Sequence, residues 1–172
     1  DIGASGQKKI IQSKVLIIGM GGLGCPVAEF LARAGVGTLG IIDYDNVDLS
    51  NIHRQSLYNV SDIKKSKVLV AKKKLKKINS KTNIICHKIR IDKNNLKKII
   101  KEYNYIVDGS DNFETKFLIN DTCKKLKKFL VTGAISKFNG HIFSFDFKNK
   151  NTPCIRSFYQ EENMSDEILN CH

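Results

Sequence analysis

The sequence predicts an α/β fold built on a doubly wound, mainly parallel sheet with antiparallel strands appended at one edge. Three observations carry that expectation. Short apolar runs alternate with helical patterns along most of the chain, a glycine-rich turn joins the first run to the first helix, and acidic residues close the second run.

Taken in order, Lys14 to Ile18 is a short apolar run, Cys25 to Ala34 is helical, and Gly37 to Asp43 is a second strand, which together make a βαβ unit. Ser61 or Asp62 can cap a long helix through Ile78, whose inner stripe is Ile63, Val68, Ala71, Leu75 and Ile78. Asn83 to Ile89 reads as a third strand, Asp92 to Lys101 as a short helix and Tyr105 to Asp108 as a fourth strand. Phe113 to Leu126 follows as a helix and Phe129 to Gly133 as a fifth strand. From Lys137 the pattern changes, and Phe138, Ile142, Phe143, Phe145 and Phe147, with Gly140 among them, predict antiparallel strands at an edge. The tail from Asn149 to His172 is polar and poorly periodic.

A chain of 172 residues with 41% hydrophobic content can bury one sizeable core, so a single domain is expected. No stretch approaches the ~20 apolar residues of a membrane span, and the N-terminus has no charged-then-apolar leader. A soluble, cytoplasmic protein with no membrane partner is the expectation. The five cysteines form an odd count in a chain too large to need a disulfide framework, which agrees with a reducing compartment. Cys86 and Cys123 sit in apolar patterns and read as small buried hydrophobes. The net charge of +12 comes mainly from lysines placed between apolar helix positions, as on a solvated face. With 8% aromatic residues and no aromatic-rich signature, nucleic acid is not the expected partner.

The chemistry begins at Gly19-Met20-Gly21-Gly22-Leu23-Gly24. A strand delivers the chain, glycines let the backbone approach a phosphate, and the next helix offers its N-terminal N–H groups and positive dipole end. Alone, this spacing also fits a dinucleotide fingerprint, with Asp43 as the ribose acid, and so suggests an NAD-dependent dehydrogenase. The next segment favours another ligand. Asn51, Arg54 and Lys67 are more than a dinucleotide needs, whereas the β- and γ-phosphates of a nucleoside triphosphate call for a guanidinium and an ammonium, with a carboxylate holding Mg²⁺. Asp111 follows the fourth strand at the carboxyl edge of the sheet and is the candidate metal ligand. Asp45 and Asp48 read as loop organisers. His53, His87 and His141 lack metal-ligand spacing.

Gly19-x-Gly21-Gly22-Leu23-Gly24, Ala34-Gly35-Val36-Gly37, Asp43-x-Asp45, Ser50-Asn51-x-x-Arg54-Gln55, Lys67 and Asp108-x-x-Asp111-Asn112 together resemble the adenylation domain of the MoeB/ThiF and ubiquitin-activating superfamily, over essentially the whole chain. Gly24-Cys25-Pro26, Asn51-Ile52-His53-Arg54-Gln55 and Pro153-Cys154 are most similar to MoeB-type enzymes that activate sulfur-carrier proteins. The resemblance implies a Rossmann-like domain in which Gly19, Gly21 and Gly22 pass close to ATP and Asp43 meets its ribose. It implies that Asn51, Arg54, Gln55 and Lys67 hold the nucleotide and that Asp111 coordinates Mg²⁺. The implied reaction is attack by the C-terminal glycine carboxylate of a small β-grasp carrier protein on the α-phosphate, giving an acyl-adenylate and pyrophosphate. Arg54, Lys67 and Asp111 would act on the reacting phosphates. A homodimer is implied as well.

The chain also departs from that pattern. Relatives carry Cys-x-x-Cys where this sequence has Cys154-Ile155-Arg156-Ser157, and a serine hydroxyl is a poor zinc ligand beside thiolate, which speaks against structural zinc. Cys171 falls where some relatives place a persulfide- or thioester-forming cysteine. The chain begins at Asp1-Ile2-Gly3, after the place of the family's upstream arginine segment, and ends before its C-terminal part, so a fragment of a longer protein is expected. The alternatives are a non-catalytic nucleotide-binding half of a heterodimeric activating enzyme and a dehydrogenase. Retention of Arg54, Lys67 and Asp111 argues against the first.

Overall fold

The computed structural model describes residues 2–136 and 138–159. It begins with a helix the sequence pattern does not disclose, α1 (Gly3–Gln12), which fully buries none of its residues. It is held by contacts elsewhere: Gln7 Nε2 donates to the Ala34 carbonyl at 3.1 Å, and Ile10 rests against the core.

Six strands follow in one sheet: β1 (Lys14–Ile18), β2 (Thr38–Ile42), β3 (Asn83–His87), β4 (Tyr105–Asp108), β5 (Phe129–Ser136) and β6 (Asn139–Asp146). Their order is β3-β2-β1-β4-β5-β6, with every pairing parallel except the antiparallel β5–β6 hairpin. The fold class is therefore as expected, and the appended antiparallel strand lies at the predicted edge. β1 is buried on both faces, as its unbroken Val-Leu-Ile-Ile run requires. Val15 and Ile17 face one core layer with α2 (Gly24–Arg33) and α3 (Lys67–Ile78), while Leu16 and Ile18 face the other with α4 (Leu96–Lys101) and α5 (Phe113–Lys125). β1 connects to β2 on one side, and the chain returns from β3 to β4 on the other. That reversal opens a crevice at the carboxyl ends of β1 and β4.

Several boundaries differ from the sequence pattern. α3 starts at Lys67 rather than after Ser61 or Asp62, because Lys64 takes φ 67° and residues 64 and 65 exchange backbone hydrogen bonds with Val47 at 2.8 Å. Asp62 instead closes the short turn Val60–Asp62 by accepting from Asn59 N–H, and pairs with Lys74. Val68, Ala71 and Leu75 do form the buried stripe of α3, whereas Ile63 precedes the helix. Asp92 caps a turn by accepting from Asn94 and Asn95, which delays α4 to Leu96, and β5 runs three residues past Gly133 because β6 pairs with it to Ser136. Cys123 is buried, but Cys86 is only half-buried on the outer strand β3. Among the described residues no helix is long and apolar enough to cross a membrane.

Candidate functional site

Register builds the site. Ile18, the last residue of β1, pairs with Ile42 of β2 on one side and Asp108 of β4 on the other, so Gly19, Asp43 and Gly109 emerge together at one edge. Gly19 N–H donates to Ile42 O at 2.9 Å and Gly109 N–H to Ile18 O at 2.8 Å, extending the ladder by one step each way. Gly19 then turns with φ +89°, a conformation that disfavours a side chain, and a Cβ on Gly24 would land on the Gly19 carbonyl oxygen. The two glycines thus let α2 start directly against the sheet. No side chain caps α2 and its first turn carries no acid, so its positive end is left to an incoming anion.

Asp43 joins that turn to the second strand. Its Oδ2 accepts from Met20 N–H and its Oδ1 from Asp45 N–H, each at 2.8 Å. Both oxygens keep acceptor capacity for hydroxyl groups of a ligand. Beyond it, Asp45 holds Lys67 twice, since its carbonyl accepts the Lys67 N–H at 3.1 Å and its Oδ2 pairs with Nζ at 3.1 Å. The Lys67 side chain is 8% exposed, so its ammonium is aimed rather than free to sample solvent. Arg54 is exposed and held by neutral groups, donating to Asn51 Oδ1 at 3.0 Å and Ser50 O at 3.4 Å. Gln55 Nε2 donates to the same Asn51 oxygen at 3.2 Å, while buried Gln55 Oε1 finds no partner among the described residues. Asp48 is held below the usual carboxylate range by the hydroxyl and N–H of Ser50 and organises the loop, as expected.

The third wall is the turn after β4. Asn112, not Asp111, caps α5, accepting from Thr115 N–H at 2.9 Å, while the exposed Asp111 accepts the Asn112 side-chain amide at its Oδ1 at 3.3 Å. Asp108 and Lys116 are buried beneath it, each side chain 1% exposed, with Nζ 3.2 Å from Asp108 Oδ2. Thr132 Oγ1 donates to the same oxygen at 2.6 Å, Ser110 N–H donates to Asp108 Oδ1 at 2.9 Å, and Lys116 Nζ reaches Gly133 O at 2.6 Å.

Gly19, Gly21, Gly22, Asp43, Asn51, Arg54, Gln55, Lys67 and Asp111, all predicted from sequence, line one cleft of about 660 Å³. Cys171 lies outside the described residues. The sequence reading missed the far end of the cleft, where Ile89 and Ile91 flank Arg90, whose guanidinium sits 5.6 Å above the Tyr44 ring. It also missed Lys116. A lysine placed between Phe113 and Phe117 on a helix face was the available signal, obscured by the lysine surplus around it. His87 lies against Tyr103 OH at 3.2 Å and His141 stacks on Phe143, so both serve sheet packing. Ser157 Oγ accepts from Cys154 N–H at 3.4 Å, and no group of three His, Cys, Asp or Glu gathers as a metal cage among the described residues.

Residues 1–172 match the ThiF family. Among curated proteins, the chain is 38% identical to "Adenylyltransferase and sulfurtransferase MOCS3" of Aedes aegypti over 99% of its length and 39% of the relative's. The same-named protein of Drosophila persimilis is 42% identical over 99% of this chain and 38% of its own length. The chain thus spans about two fifths of these relatives. Among solved structures, the Escherichia coli tRNA N6-threonylcarbamoyladenosine dehydratase TcdA in complex with ATP superposes with TM-score 0.73 at 26% identity, covering 76% of this chain and 54% of that one. A glycine turn, an acid at the end of β2, and a basic and an acidic wall around one cleft therefore occur in a chain that matches one family from end to end: it belongs to the ThiF family.

Proposed function

We propose that the chain is the adenylation unit of an enzyme that uses ATP and Mg²⁺ to activate the C-terminal glycine of a small sulfur-carrier or ubiquitin-like protein. The observation that carries this reading is the convergence of Arg54, Lys67 and Asp111 on one cleft above an uncapped helix start. A dehydrogenase site has a use for Asp43 and the glycines but none for those three. Relatives named adenylyltransferase and a neighbour solved with ATP support the same reading.

The residues fit the nucleotide. Gly19, Gly21 and Gly22 present backbone without obstruction, and Asp43 is oriented by two N–H groups to accept ribose hydroxyls. The apolar end at Ile89 and Ile91 suits a purine ring. Asn51 steers Arg54, and Asp45 steers Lys67, toward phosphate oxygens. Asp111 would hold Mg²⁺, which needs only one or two carboxylates when phosphates supply further oxygens and which neutralises phosphate charge when bound. The glycine carboxylate is ionised at neutral pH and needs no general base. Its oxygen bonds to the α-phosphorus as the bond to pyrophosphate breaks, so the chain's contribution is in-line positioning and charge neutralisation. The same reading carries Cys171 as a persulfide or thioester site, a homodimer and a cytoplasmic setting.

The test is ATP–pyrophosphate exchange by the full-length protein with candidate carriers. Exchange that requires an intact carrier C-terminal glycine is the expected result. Binding of NAD with no binding of ATP would overturn the reading.

A further inference from the structure

Resting on the adenylation reading of this cleft, we propose that Lys116 is a positioning residue: through Asp108 it sets the turn that presents Asp111 to the metal–phosphate end of the site. Lys116 lies one turn into α5, with its N–H donating to Asn112 O at 3.2 Å and its side chain directed inward. Its ammonium ties three elements together, meeting Asp108 Oδ2 at the end of β4 and Gly133 O on β5 from its own place on α5. The other Asp108 oxygen accepts both the N–H and the hydroxyl of Ser110, at 2.9 and 2.5 Å. One carboxylate thus holds Ser110, the residue before Asp111, and closes the turn over Gly109, whose N–H is taken by Ile18 O. The same turn touches the glycine loop, since a Cβ on Gly19 would meet Gly109 O.

A buried ion pair is a poor way to gain stability, because removing two charges from water costs about as much as their attraction returns. A methionine at 116 would fill similar space without that cost. What the pair supplies is one geometry for the Asp108–Asp111 turn. A shift there of about an ångström would displace a reacting group by a distance that matters for rate. Lys116 lines the inner end of the cleft with its side chain 1% exposed, and Asp108 Oδ2 and Gly133 O take two of its three N–H donors, so its main hold is on Asp108; a direct contact with phosphate would instead weaken binding in EDTA.

The experiment uses the full-length protein with Lys116→Met, Lys116→Arg and Thr132→Val, the last removing one bond to Asp108 and no charge. The readouts are binding of a non-hydrolysable ATP analogue in EDTA and in saturating Mg²⁺, carrier-dependent pyrophosphate exchange, and thermal unfolding. Lys116→Met should bind the analogue in EDTA about as wild type does, but lose roughly 10–100-fold of the Mg²⁺-dependent tightening and of exchange kcat, the range seen when the support behind a metal ligand is removed. KM for ATP, read at saturating Mg²⁺, should rise by a similar factor, because it carries the same lost tightening. Lys116→Arg should recover most of both losses, and Thr132→Val should show a smaller loss of the Mg²⁺-dependent tightening with a smaller fall in unfolding midpoint than Lys116→Met. Wild-type tightening in Lys116→Met would overturn the proposal, as would a loss that arginine does not restore and that only follows the folded fraction. If Lys116→Met does not fold, unchanged tightening in Thr132→Val overturns it. A wild-type protein that tightens on nucleotide with Mg²⁺ but exchanges pyrophosphate with no carrier sinks the adenylation reading while leaving Lys116 to be judged on the tightening. No nucleotide binding at all by wild type sinks both.

Discussion

Asp43 accepts the backbone N–H of Met20 at 2.8 Å, and this one hydrogen bond locks the end of β2 to the glycine turn that follows β1. Met20 is fully buried, so its N–H has no water to turn to. The residue predicted to meet a ribose is therefore also a structural clamp, and the two roles separate by substitution.

Asp43→Ala removes the acceptor for both Met20 and Asp45. Unfolding in urea should show a loss of about 1–3 kcal/mol, the cost of stranding buried donors. Nucleotide affinity, measured by calorimetry at a temperature where the variant stays folded, should fall by at least tenfold. An unchanged affinity would show that Asp43 only holds the turn.

Arg54→Ala should behave differently, because Arg54 is exposed and braced at the surface by Asn51, Ser50 and the His53 ring. Stability should stay within about 0.5 kcal/mol of wild type. Loss of a charge-assisted bond to phosphate should weaken ATP by about 1.5–3 kcal/mol, or roughly 10–100-fold, and weaken adenosine hardly at all. Equal weakening of ATP and adenosine in a binding titration would remove Arg54 from the phosphates.

Gly24→Ala places a methyl group on the Gly19 carbonyl oxygen, a backbone atom that cannot move without opening the turn. Overpacking of this kind costs about 1–3 kcal/mol or more. The variant should unfold at lower denaturant and lose nucleotide binding together, and a fully stable, fully binding variant would contradict the tight start of α2.

Burial lowers the pKa of His87 below its usual value. The unfolded chain then binds a proton that the folded one resists, so between the usual histidine pKa and the lowered one stability rises with pH and falls on acidification. Asp48, Asp62 and Asp121 are shifted down instead, so their contribution is present above the usual carboxylate pKa and is lost only in stronger acid. Denaturant midpoints followed from pH 7.5 to 5 should decline in the wild type and decline less in His87→Gln. Parallel slopes would assign the acid sensitivity elsewhere.

Asn120 is fully buried on α5, and its Oδ1 accepts the N–H of Ile155 at 3.2 Å, pinning the segment after β6 to the helix. Asn120→Ala should cost about 1–3 kcal/mol and speed amide exchange at residues 154–157 while leaving β1 protected. Unchanged exchange at Ile155 would assign the hold on the segment to its other contacts, the bidentate Arg156–Asp121 pair and the Phe158 ring packing among them.

Much of the site was legible because its residues sit at strand ends and helix starts, where periodicity stops and special residue types begin. Gly19, Asp43 and Asp111 are of this kind. Lys67 was legible as a cation near the start of a helix, but that helix was expected to begin after Ser61 or Asp62; Asp45 and the backbone pairing with Val47 move the start of α3 to Lys67 itself. α1 escaped notice because its helix is held by Ala34 and by the backbone leading into β2, where Gly37 N–H donates to Ile10 O, rather than by a buried stripe of its own.

The sequence by itself determined the alternation of strand and helix, the glycine turn, and the chemistry gathered after it, since each depends on neighbours a few positions apart. Only the tertiary structure decided that Ile18 stands level with both Ile42 and Asp108, and that Lys116 is buried against Asp108 instead of joining the many solvated lysines. Register and burial arise between segments distant in the chain. A lysine is desolvated only once a helix closes over the sheet, and no local pattern records that event.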